Sequence, residues 1–191
     1  MKKIYQIQIA LKGSKPKIWR RVLVPSDLLL PDLHAIIQTS MGWTNSHMHQ
    51  FFKDGKFYAP RMPDDDMWGE MQQVDYTNIR ISAVLKREKA KVIYEYDFGD
   101  GWVHDVILEK TLPADEAIKY PVCVAGKLNC PPEDCGGIWG YYHMLDVLKD
   151  PGHKEYEETV EWLDRDFDPT EFDKEMVTNL LRTEGYGCYG F

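Results

Sequence analysis

Long apolar runs are missing from this sequence: none approaches the roughly 20 residues that a membrane-spanning helix needs. No membrane partner is therefore expected. The opening Met1-Lys2-Lys3-Ile4-Tyr5-Gln6 turns polar at once and lacks the apolar core and small-residue cleavage site of a secretory leader. Cysteine is scarce, with four among 191 residues, too few for a disulfide scaffold. These features predict a cytoplasmic protein with reduced thiols. Positive charge is also short, and a formal net charge of −8 argues against a surface that grips nucleic acid all round. A Walker-type phosphate loop, a dinucleotide fingerprint, a G-x-S-x-G elbow and an H-E-x-x-H helix are all absent, so the enzyme classes built on them are not indicated.

What is present is a folded composition. Hydrophobic residues make up 43% and charged residues 28%, which excludes disordered and collagen-like chains. The length predicts one domain over 1–191, with a β-rich core over 1–120 and a motif loop and helical annex over 121–185. Charge runs in a gradient. Residues 1–25 hold seven basic side chains and no acidic one, whereas 133–175 hold fourteen carboxylates against four basic groups. Solvated faces that balance each other explain most of this. The basic N-terminal hairpin, with Lys15, Lys17, Arg20 and Arg21, is the one stretch suited to phosphates.

Hydrophobic period predicts the elements. Tyr5, Ile7, Ile9 and Leu11 alternate with Gln6 and Gln8, giving a half-buried strand, and 18–24 reads as its hairpin partner. Over 31–41 the period changes: Leu33, Ile36, Ile37 and Met41 form a helical stripe between Pro31 and Gly42. Asp54-Gly55 and Asp100-Gly101 each suit a two-residue hairpin turn. Residues 60–78 read as an irregular excursion and 79–87 as a short helix with Ile81, Val84 and Leu85 inward. Helices follow over 137–149 and 154–164, the latter packing Tyr156, Val160 and Leu163. A last helix places Phe172, Met176, Val177, Leu180 and Leu181 inward, and 185–191 read as a flexible end. The order predicts an α+β fold, a mixed β-sheet with a β-grasp-like ββαββ core plus C-terminal helices.

Two motifs carry chemistry. In the hairpin 94–104, a two-residue turn at Asp100-Gly101 would set Asp97 opposite His104, close enough for a carboxylate–imidazole hydrogen bond. Asp97, His104, Glu95 and Trp102 would share one face, leaving Tyr94, Tyr96, Phe98, Val103 and Ile107 for the core. Such a pair serves acid–base catalysis or metal ligation, and it serves equally as a cross-strand lock. Asp100 is a further carboxylate beside it. In the second motif, Cys123, Cys130 and Cys135 fall within thirteen residues and suit zinc if His104 or another histidine supplies a fourth donor. Their spacing matches no common zinc pattern, and buried thiols are the plainer reading. Glu133 and Asp134 precede a helix, where negative charge is favoured.

Among smaller signals, His47 and His49 form an H-x-H pair that would share a strand face. His143 follows Trp139 by four and would stack on it, and His34 falls on the exposed side of the first helix. The tryptophans, Trp102 among them, read as core by default and as lining of a binding groove otherwise.

The run Tyr94-Glu95-Tyr96-Asp97-Phe98-Gly99-Asp100-Gly101-Trp102-x-His104, then Cys123-x-x-Gly126 and Cys130-Pro131-Pro132-Glu133-Asp134-Cys135-Gly136-Gly137-x-x-Gly140-Tyr141, resembles the plasmid-pRiA open-reading-frame-three-like family. Trp19-Arg20-Arg21, Val24-Pro25, Ser46-His47-Met48-His49-Gln50-Phe51 and Asp150-Pro151 share in the resemblance, which spans nearly the whole chain. It implies a plasmid or insertion-element passenger protein, of a kind sometimes given a resolvase-like (TnpR-like) label. No serine-recombinase pattern accompanies it here, and no catalytic role is carried over.

Two functions follow as expectations. One is a non-enzymatic binding or accessory protein, with a protein partner or with nucleic acid held by Lys15, Lys17, Arg20 and Arg21. The other is a metal-dependent hydrolase or nuclease using Asp97 and His104, with Asp100, Glu133 and Asp134 nearby and zinc or another divalent metal as cofactor. The second requires the 123–137 loop to fold back onto the hairpin turn.

Overall fold

Alternating residues at the N-terminus build the centre of the sheet. In this computed structural model, which describes residues 3–61, 73–163 and 167–188, strand β1 (Lys3–Leu11) pairs antiparallel with β2 (Trp19–Pro25). Helix α1 (Leu30–Met41) follows, entered through Pro31 in its first turn and ended by Gly42 in the left-handed region. Then come β3 (His49–Lys53), β4 (Lys56–Ala59), β5 (Gln73–Asp75), the short helix α2 (Ile81–Val84), β6 (Lys91–Tyr96), β7 (Trp102–Pro113) and β8 (Val122–Lys127). Helices α3 (Gly137–Leu148), α4 (Tyr156–Leu163) and α5 (Lys174–Leu181) complete the chain before a 3-10 turn at Glu184–Gly187. Among the described residues no helix is long and apolar enough to cross a membrane.

The eight strands form one sheet in the order β5-β4-β3-β6-β7-β1-β2-β8, antiparallel throughout except for the β4–β5 pair. The α+β class is as expected. A β-grasp-like core is not confirmed, because β1 is flanked on both sides by antiparallel neighbours, β2 and β7.

One face of the sheet is the core. Ile7, Ile9, Val22, Val24, Tyr94, Trp102, Val106 and Leu108 are buried in one cluster with Leu33, Ile36 and Ile37 of α1. Each of those three fully buried helix side chains contributes roughly 2 kcal/mol. The same cluster takes in Cys123, Cys130, Tyr141, Met144, Val177 and Leu181, so the later helices close on the core built by the strands. The opposite face is polar: Gln6, Gln8 and Arg21 all donate to the carboxylate of Glu109.

Several expectations are corrected here. Cys123 lies on strand β8 rather than in a loop, paired with Val22. On α5 only Val177 and Leu181 of the apolar set turn inward, and Met176 and Leu180 are exposed, as is Val160 of α4. The end of the chain is not loose over its described part, because the Glu184–Gly187 turn packs on α1 and Tyr186 joins the rim of the core. Of the irregular excursion over 60–78, residues 62–72 lie outside the described residues, as do Asp164 of the 154–164 helix and 189–191 of the tail.

Candidate functional site

Both Asp-Gly hairpins form, but only one has the expected turn. At Asp54-Gly55 both residues take positive φ (50° and 78°) and Lys53 pairs with Lys56, a two-residue turn. At Asp100-Gly101 the last pair is Tyr96 with Trp102, so the loop is the five residues 97–101. Asp97 itself turns into the left-handed region (φ 55°), its Oδ1 accepts from the Gly99 N–H at 2.9 Å, and its carbonyl accepts from the Gly101 N–H at 2.6 Å. That local Asx-type turn competes with the tighter one and wins.

The consequence is a shift of register that exchanges the two faces of the hairpin. His104 stands opposite Tyr94, not Asp97. The expected Asp97–His104 pair is therefore corrected: His104 is fully buried, its Nδ1–H donating to the Trp102 carbonyl at 3.0 Å and its ring edge-on to Trp43. Burial lowers its pKa to about 4, so it is a neutral core residue. Trp102 is buried with it, out of reach of a surface ligand, whereas Phe98 is exposed.

Three segments meet at the end of this hairpin: residues 43–48, the turn 97–101, and the loop 130–137. Trp43 stacks on Tyr96 and donates its indole N–H to the Pro131 carbonyl at 3.0 Å. The Tyr96 hydroxyl receives the N–H groups of Ser46 and His47 and donates to Glu133. The other carboxylate oxygen of Glu133 accepts from the N–H and the hydroxyl of Thr44, at 3.0 and 2.6 Å. On the far side Asp100 Oδ2 accepts from the Gly136 N–H at 3.2 Å. Gly137, at φ +67°, lies so close to the Asp100 carbonyl that a Cβ would stand 2.3 Å from that oxygen. The two motif loops, 97–101 and 130–137, are thus in direct contact.

One polar group stays incompletely partnered within this junction. The Asp97 N–H donates to the Met48 carbonyl at 2.9 Å, prolonging the β3–β6 ladder and bringing His47 beside the turn. His47 Nε2 then stands 3.2 Å from Asp134 Oδ1 and 3.8 Å from Asp97 Oδ2. Among the described residues this is the one group of three His, Cys, Asp or Glu side chains with ligand atoms within 4.8 Å of one another. Sequence reasoning had Asp97 and Asp134 but gave His47 a different role, in an H-x-H pair. That pair is divided: His49 donates or accepts at Tyr76 and stacks on His34, with ring centres 3.4 Å apart. His34, expected on an exposed side, is buried between Tyr94 and Asn45.

The remaining candidates are dispersed. Cys123, Cys130 and Cys135 do not gather with His104, and burial pushes all three thiols up, Cys135 to about 12. Arg20 points inward, because 20, 22 and 24 are the core-facing positions of β2. It is 3% exposed, lies 4.3 Å from the Phe172 ring centre and donates to the carbonyls of Ser40, Trp19 and Lys127. Arg21 is held in a two-point pair with Glu109. Only Lys15 and Lys17 of the expected phosphate-binding set stay at the surface, and Lys17 donates to Gln8. His143 does not stack on Trp139; it pairs with Glu155 at 2.7 Å.

An eight-stranded antiparallel-dominated sheet with α1 on its core face, sealed at one end by two contacting motif loops, defines the class: an α+β protein with a loop junction as its candidate site. The sequence model of the family described as plasmid pRiA4b ORF-3-like protein matches residues 3–176, and the chain belongs to that family. It is similar to the uncharacterised protein y4hQ of Sinorhizobium fredii, 37% identical over 161 residues that cover 83% of this chain and 80% of that one. Its fold is also that of a protein of unknown function, MM3350, from Methanosarcina mazei Go1. That crystal structure matches with a TM-score of 0.82 at 40% identity, covering 92% of this chain and 97% of the other.

Proposed function

We propose that the protein is a non-enzymatic binding protein of the cytoplasm, an accessory to plasmid or mobile-element machinery, and that its ligand is a basic segment of a partner protein. The observation that carries this reading is Trp139. It stands on the first turn of α3, two residues from the Gly137 contact, and its side chain is 86% exposed while Tyr141, Met144 and Val147 fill the core face of that helix. An indole left in water beside a built junction is the residue type that most often anchors protein interfaces. The neighbouring helix α4 adds exposed Val160 and Trp162 among Glu157, Glu158 and Glu161, so the surroundings suit a cationic partner.

The main competitors each lose a support. A hydrolase using His104 needs that ring at the surface, and it is sealed in the core. A DNA footprint needs Arg20 and Arg21, and both are engaged within the protein.

The test is a peptide array of mixed basic and apolar sequences probed with the full chain and with Trp139→Glu, alongside a low-salt mobility assay on duplex DNA. Peptides rich in Lys or Arg with an apolar anchor should bind the wild type and not the variant. DNA retention abolished by Lys15→Glu with Lys17→Glu would overturn the reading in favour of nucleic acid. Asp97-dependent turnover of phosphodiester substrates would overturn it in favour of an enzyme.

A further inference from the structure

We infer that His47, Asp97 and Asp134 form a binding site for a divalent cation of the zinc and manganese class, built where the three motif segments meet. The inference goes beyond the partner-binding reading and stands independently of it.

The donor atoms converge from separate parts of the chain. His47 comes from the segment before β3, Asp97 from the first position of the hairpin turn, and Asp134 from the loop after β8. Donors around a tetrahedral zinc stand about 3.3 Å apart. His47 Nε2 and Asp134 Oδ1 are already 3.2 Å apart, and Asp97 Oδ2 reaches that spacing from 3.8 Å by a small turn of its carboxylate.

Two further observations point to a ligand. Asp97 is only 8% exposed, yet Oδ1 is held by the Gly99 N–H and Oδ2 by no hydrogen bond among the described residues. A carboxylate so far removed from water calls for a compensating charge. His47 Nε2 is itself shielded from solvent, and neither nearby carboxylate meets it in hydrogen-bond geometry. Each donor therefore has an unmet valence directed into one space.

The surroundings fix the donors as a metal centre requires. The His47 ring packs edge-on to Tyr96 at 5.7 Å, and the Tyr96 hydroxyl holds the His47 backbone on one side and Glu133 on the other. One imidazole with two carboxylates favours a transition-series ion over calcium or magnesium, which prefer oxygen donors alone. Three protein ligands leave at least one coordination position open for an outside donor, unlike a closed structural site.

The test is cobalt(II) titration of the purified full chain, followed by visible absorption and equilibrium dialysis, with zinc as competitor. One cobalt per chain should bind, with a d–d spectrum of nitrogen and oxygen donors that zinc abolishes. Asp134→Asn, at a largely exposed side chain, and His47→Gln should each weaken binding at least about tenfold. A sulfur-to-metal charge-transfer band would overturn the proposal in favour of the cysteines. Unchanged binding in both variants, or no uptake by a wild type shown to be folded by circular dichroism, would overturn it outright while leaving the Trp139 experiment unaffected.

Discussion

Tyr94 stands directly opposite His104 across β6 and β7, and both rings are fully buried. The Tyr94 hydroxyl continues inward to a second imidazole, bonding His34 Nδ1 at 2.9 Å. Burial holds His34 and His104 down to about 4, whereas an unfolded chain titrates near 6.5. As pH falls, the unfolded chain takes up protons first. The stability these rings contribute is therefore complete above about pH 6.5 and is lost progressively towards pH 4.

The two together should remove a few kcal/mol across that interval, on the order of 3 kcal/mol apiece at the limit. Urea unfolding at intervals between pH 7.5 and pH 4 measures it. His34→Gln should flatten the slope, and a slope unchanged in that variant would refute the assignment.

The contact between the motif loops makes a second prediction. At Gly137 a Cβ would meet the Asp100 carbonyl at 2.3 Å, on a backbone at φ +67°. Gly55 has φ +78° but nothing within 4 Å of a Cβ. Gly137→Ala should thus cost roughly 3 kcal/mol and Gly55→Ala only about 1 kcal/mol. Equal losses in denaturant midpoint would mean that the loops are not in contact.

Much of this arrangement is legible from residue order, and the part that is not has a definite cause. Tyr5, Ile7, Ile9 and Leu11 mark β1, and the stripe Leu33, Ile36, Ile37 marks the buried face of α1, because period alone decides both. Asp54-Gly55 gives its turn type as well. Asp100-Gly101 misleads, because Asp97 three residues earlier offers the backbone an alternative closure through Gly99, and a register moved by an odd number inverts every side chain beyond it. The site then could not be assembled from spacing: His47 meets Asp97 only through the ladder extended past Met48, and meets Asp134 only through a contact between distant loops.

Glu133 gives a third prediction, since its two oxygens join Tyr96 to Thr44. Glu133→Ala should destabilise by about 2 kcal/mol, because it removes charge-assisted bonds and strands the partly buried phenol. A double-mutant cycle with Tyr96→Phe should return a coupling of at least about 1 kcal/mol. Simple additivity in thermal or urea unfolding would show that the two groups act separately.

Arg20 and its neighbours on the basic hairpin separate structure from charge. Its guanidinium lies over Phe172 and donates to three backbone carbonyls that join β2 to α1 and to the end of β8. Removing it leaves those buried acceptors unpaired and a cavity beneath Phe172, so Arg20→Ala should cost about 3 kcal/mol or more. Arg20→Lys should not restore the loss, because one ammonium cannot reproduce a planar fork stacked on a ring. Lys15→Ala and Lys17→Ala, at the surface of the same hairpin, should each change stability by less than about 0.5 kcal/mol. The four midpoints, read in one urea series, decide the matter. If Arg20→Lys is as stable as the wild type, positive charge alone accounts for the residue, and the β2 surface regains its claim on phosphate.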